Sequence, residues 1–234
     1  MKGFTKLALD IVMGAVIPIL ILNNLTRPLG APLAYVIAAL VPVAYVLADT
    51  FFISRRFNVI TSYVALTAIM NGALAFWFVD GALFALKDTA ALLVSFAAFS
   101  GSLLVGRPLA RYFLIQALNP GTPAREAKLR KLLDAPGVRR AAIIATGLIV
   151  AESAVAAAFN FWLNLNTVTA PFGVEAFNQQ VAQVNAITRL ALPVASVAAF
   201  GIGFALVFRE LYRVLPAGAE SGSQDELWAL IDVS

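Results

Sequence analysis

The 234-residue chain contains no cysteine and no histidine. The first absence excludes disulfide frameworks, CxxC redox centres and thiolate metal sites. The second removes the commonest metal ligand, the usual haem-b ligand and the base of a serine protease triad. Charge is scarce as well: Asp, Glu, Lys and Arg make up 13% of the residues, against about 25% in a soluble domain. Motifs for several reactions are also missing. There is no DDxxD pair to hold a metal–pyrophosphate substrate, and no GxSxG, Walker A or Gly-rich dinucleotide sequence. Lys87, read as an intramembrane lysine near a surface, has no serine partner in sequence for a Ser–Lys dyad. The chain therefore reads as non-enzymatic, with no cofactor and no metal.

What the chain has in quantity is apolar surface. Hydrophobic residues make up 61% of it, and the mean hydropathy is +0.86. A hydrocarbon core of about 30 Å takes about 20 mostly apolar residues per helix. Six such runs stand between charges, prolines and asparagines: 7–22, 33–52, 60–78, 89–105, 141–163 and 187–207. They lack the alternation of barrel strands, so each is expected to be a helix. The first carries Asp10 and Pro18 and no small-residue cleavage site, and is read as a retained span rather than a leader. The expected fold is all-α: a polytopic membrane bundle over 1–215, with a tail at 216–234.

The 17 Lys and Arg residues orient this bundle. With the N-terminus inside, only Arg27, Lys87 and Arg189 fall on or near the outer side. The positive-inside rule then places both termini in the cytoplasm, in agreement with an even number of spans. Arg55, Arg56, Arg107, Arg111, Arg139 and Arg140 become membrane-surface residues facing anionic lipid. The net charge of +4 is accounted for in this way, and nucleic acid is not an expected partner. The bilayer is, with further copies of the chain or envelope proteins as other candidates.

The cytoplasmic loop 106–140 reads as two short helices around the breaker Asn119-Pro120-Gly121-Thr122-Pro123. Leu109, Tyr112, Phe113, Ile115 and Leu118 suggest that the first lies in the membrane interface. The polar stretch 164–180 is expected outside, capping the bundle. In the tail, Leu227, Trp228, Leu230 and Ile231 form a cluster able to dock on the cytoplasmic face.

Ionisable residues inside spans are functional candidates, because an unpaired charge there is costly. Glu152 is the deepest acid, and Asp10 lies one turn into the first span. Arg189 enters the sixth, where a pairing with Glu152 stays open. Asn71 offers a further polar group. Two readings of Glu152 stay open as well: a proton or cation site, or a satisfied contact that fixes helix packing. Lys87-Asp88 reads as a cap and topology signal at the start of the fourth span. Small residues at a spacing of four, Ala191, Ala195, Ala199 and Gly203, and likewise Ala97 and Gly101, mark expected packing seams.

Several segments resemble a family. They are Leu9-Asp10, Pro18, the stretch from Asp49 to Arg55-Arg56-Phe57, Lys87-Asp88, and Phe99-Ser-Gly-Ser-Leu-Leu-Val-Gly-Arg-Pro108. Over roughly residues 7 to 115 the chain resembles the small bacterial inner-membrane proteins related to intracellular septation protein A. The resemblance implies a multi-pass protein of the bacterial cytoplasmic membrane, associated with envelope and septation, and it carries over no catalytic residues. Two functions are compatible with these features: a small-solute or proton-coupled transporter, or a scaffold in envelope assembly.

Overall fold

In the computed structural model of the chain the described residues are 9, 12–49, 52, 59–215 and 224–233, and the regular structure among them is entirely helical. A π-helical turn at Val12–Val16 leads into α1 (Ile17–Asn24), α2 (Thr26–Leu29) and α3 (Ala31–Ala48). Then come α4 (Val59–Ala75), α5 (Gly81–Leu104), α6 (Leu109–Leu118), α7 (Pro123–Leu133), α8 (Pro136–Thr167), α9 (Glu175–Val214) and α10 (Gln224–Val233). The helix breaks follow local chemistry. Asn119 adopts a left-handed conformation at the end of α6, and the Thr122 side chain accepts the Arg125 amide at 3.3 Å to cap α7, with Pro123 at its first turn.

Four helices are long and apolar enough to cross a membrane: α3, α5, α8 and α9. The other two expected spans coincide with shorter apolar helices, Val12–Asn24 and α4. Several boundaries differ from those expected. α5 begins at Gly81 rather than 89, α8 continues to Thr167, and α9 starts at Glu175. The polar stretch 164–180 is thus mostly helix, with a connection of only 168–174. A hydropathy criterion ends a span where the residues turn polar, but backbone hydrogen bonding continues as long as side chains find partners. Asn164 does so, donating to the Asn160 carbonyl at 2.9 Å.

The chain separates into two compact units. One takes the described residues up to Val94 together with Ala154–Val194, and the other takes Ser95–Ser153 with the described residues from Ala195. The core of the first contains Leu22, Ala34, Tyr35, Ala38, Phe84, Phe177 and Val181. Its aromatic rings meet edge to face, with Tyr35–Phe177 at 5.8 Å and Phe84–Phe177 at 5.0 Å between centroids. Asn178, fully buried, donates to Thr26 Oγ1 and to the Ala31 carbonyl, both at 2.9 Å, and so ties α9 to the α2–α3 turn.

The core of the second unit contains Leu114, Leu129, Leu133, Val138, Ala145, Ile149, Leu211 and Ile231. Here the reading of α6 as an interfacial helix is corrected. Ala110, Leu114, Ile115 and Leu118 lie on one face at helical spacing and are buried in this core. Two free amides at its start are taken by hydroxyls: Leu109 donates to Ser102 Oγ at 3.2 Å and Ala110 to Thr146 Oγ1 at 3.3 Å. The tail cluster does dock. Leu227, Trp228 and Ile231 are buried, and Arg125 on α7 pairs with Asp232 on α10.

The expected small-residue seams are also corrected. Of Ala191, Ala195, Ala199 and Gly203, the one in tight contact is Gly203, where an added Cβ would meet the Ala145 Cβ at 3.1 Å. Ala191, Ala195 and Ala97 are exposed, and Gly101 faces open space. Repeats of small residues arise readily in Ala-rich helices, and which of them pack depends on where a neighbouring helix lies.

Candidate functional site

The first unit contains an open cavity of about 430 Å³. Its lining is part apolar and part polar. Apolar residues come from α3 and α4, among them Ala39, Val43, Val46, Ala68 and Leu74. The polar groups come chiefly from α5, α8 and α9: Lys87, Asp88, Asn160, Asn185, Thr188 and Arg189. Thr67 and Asn71 on α4 add to them.

Lys87 and Asp88 lie about two turns into α5, well past its first residue. The reading of this pair as a helix cap is therefore corrected: the helix starts at Gly81, and Lys87 is only 4% exposed. Its Nζ donates to the Trp77 carbonyl at 2.8 Å, in the non-helical segment before α5. The ammonium also lies 4.7 Å from the centre of the Tyr35 ring and 5.3 Å from that of Phe84. Rings of this kind stabilise a cation that has lost its water.

Asp88 is held from α8. Its Oδ2 accepts from Asn160 Nδ2 at 3.2 Å and from Asn164 Nδ2 at 2.9 Å, both asparagines being buried. Asn160 also donates to Thr89 Oγ1 at 3.1 Å. Arg189 uses Nε towards Asn185 Oδ1, one turn back on α9, at 3.3 Å. Among the described residues neither Lys87 nor Arg189 is in an ion pair. The guanidinium thus keeps its two terminal nitrogens for other acceptors.

Two prolines inside helices, Pro42 of α3 and Pro193 of α9, also line the cavity. A proline has no N–H, so the carbonyls of Ala38 and Arg189 lack the donor four residues on. Tyr35, Asp88, Asn185 and Arg189 line a second, smaller cavity of about 60 Å³ as well.

Of the candidates read from the sequence, Arg189 and Asn71 are brought together here. Glu152 is not among them: it lies in the second unit, accepting from Ser196 Oγ at 2.7 Å and from Ser153 Oγ at 3.5 Å. Glu152 and Arg189 each have a different partner. Asp10, Arg55 and Arg56 lie outside the described residues. Arg107, Arg139 and Arg140 are exposed, whereas Arg111 is tied to Asp134 and to the Arg130 carbonyl. That hydrogen bond and the nearby positive charge of Arg111 hold the Asp134 carboxyl below the usual range.

Sequence reasoning missed Asp88, Asn160, Asn185 and Thr188 as members of a site. The available signal is the spacing of Asn160 and Asn164, which puts two amides on one face of α8. Comparison with family models, with curated proteins and with solved structures finds no match.

Proposed function

We propose that the chain is a non-enzymatic membrane protein that carries a small solute through the cavity of the first unit. In this reading it has six spans, the four long helices plus Val12–Asn24 and α4, with both termini in the cytoplasm of a bacterial cell. The resemblance to the septation-A group agrees with that placement. What supports transport is one observation: Lys87, Asp88, Asn160, Asn185 and Arg189 converge on a space of about 430 Å³. Polar groups of this kind are expensive in a membrane interior unless a watered cavity or a ligand meets them. A scaffold acting through helix and lipid contacts would have no use for this cavity.

The absence of cysteine from the chain makes a direct test simple. Asn71→Cys and Thr188→Cys place single thiols on the cavity lining, and Val194→Cys places one at a side chain that is 71% exposed on α9. In liposomes a membrane-impermeant thiosulfonate is expected to modify the first two faster than the third, because a thiol in hydrocarbon stays protonated. Equal, slow reaction at all three positions would refute a water-filled cavity and favour the scaffold.

A further inference from the structure

The charge and shape of this cavity specify its ligand further, given the solute-carrier reading above. Its lining carries two cations, Lys87 and Arg189, and one described carboxylate, Asp88. The carboxylate already accepts two amide N–H groups through Oδ2, while the guanidinium is met on one nitrogen. The polar side is therefore short of negative charge. Val43, Val46, Leu74 and Leu92 give the same cavity an apolar lining as well.

We infer that the site takes a small organic carboxylate, of net charge minus one and with an apolar body. A carboxylate matches the planar fork of a guanidinium through two parallel hydrogen bonds, and a single ammonium cannot reproduce that geometry. Lys87 adds a second positive charge, held in place by Trp77 and the Tyr35 ring. Asn185 accepts from Nε at 3.3 Å, which restrains the guanidinium before a ligand arrives and leaves its terminal nitrogens uncommitted. The apolar lining takes the rest of the molecule. A zwitterion would leave the excess positive charge uncancelled, and an organic cation would add to it.

Three probes that share one ring and chain but differ in charge test this. Thermal unfolding of the purified full chain in neutral detergent is followed with 3-phenylpropionate, phenylalanine or 2-phenylethylamine at constant ionic strength. The expected result is a saturable rise in Tm with 3-phenylpropionate and none with the other two, since a ligand that binds the native state stabilises it. Arg189→Lys is expected to raise the half-saturating concentration about tenfold or more, and Arg189→Gln to abolish the response. The comparison among the three probes in the unsubstituted chain needs no variant to fold.

A rise with 2-phenylethylamine alone would overturn the carboxylate assignment, as would a 3-phenylpropionate response unchanged in Arg189→Gln. No response to any probe, with Asn71→Cys and Thr188→Cys still reactive, would overturn it and leave the water-filled cavity standing. No response together with unreactive thiols would remove both readings.

Discussion

Asn178 shows how one buried polar side chain holds a connection between helices. Its Nδ2 is fully committed, to the Thr26 hydroxyl and to the Ala31 carbonyl. Asn178→Ala is expected to lower the stability of the chain by about 1–3 kcal/mol, because buried acceptors lose their donor. Asn178→Asp should cost more, since it turns an oxygen towards those same acceptors. Thermal denaturation in detergent checks both, and an aspartate variant as stable as the parent would contradict the assignment. The same principle governs Lys87, whose charge is buried yet met by a carbonyl and two rings. Arg189 differs, being satisfied on one nitrogen only, and this difference separates a structural cation from one left available to a ligand.

Among the elements, α10 has an attachment that is expected to respond to pH. Arg125 donates to both oxygens of Asp232, and Lys128 donates to the carbonyls of Ile231 and Asp232. The Arg125 hydrogen bonds, reinforced by the charges of Arg125 and Lys128, hold the Asp232 carboxyl below its ordinary value. A depressed carboxylate pKa favours the docked state above the undocked value of about 3.9, and the contribution is lost as pH falls through the lower docked value. Trp228, buried against α7, reports this. In a chain carrying Trp77→Phe and Trp162→Phe, its emission should shift to longer wavelength on acidification below about pH 4. Asp232→Asn should remove the carboxylate's contribution to that acid transition, and an unchanged titration would show that the ion pair has no part in docking. The α6 helix illustrates how misleading a stripe can be: its apolar residues are plain in the sequence, but whether they face lipid or a protein core depends on what packs beside them.

At the level of the whole molecule, helix length sets how much lies beyond the bilayer. At about 1.5 Å per residue, the 32 residues of α8 and the 40 of α9 exceed a hydrocarbon core of about 30 Å. Their polar ends therefore extend past it. Six spans require both ends of the chain on one side. Thr5→Cys and Ser221→Cys, labelled in intact cells and in inverted vesicles, should react with an impermeant maleimide from the same side, the cytoplasmic one. Labelling from opposite sides would mean an odd number of spans and would overturn the proposed topology.

Helical class, the approximate positions of six apolar segments, the two short helices around Asn119–Pro123 and the docking tail cluster can all be read along the chain. The physical reason is that apolar runs, breakers and backbone hydrogen-bond demand are local properties. The cavity is not legible in this way. Asn71, Asp88, Asn160, Asn185 and Arg189 come from four helices, and no local rule states which helices are neighbours. Glu152 looks the most costly charge when depth along a span is the available measure, yet a serine on another helix satisfies it. Lys87-Asp88 looks peripheral when hydropathy starts the span at 89, whereas the helix begins about two turns earlier. Sequence determined what each segment is made of and that it must be helical; tertiary packing alone decided which charges are met and which face an open space.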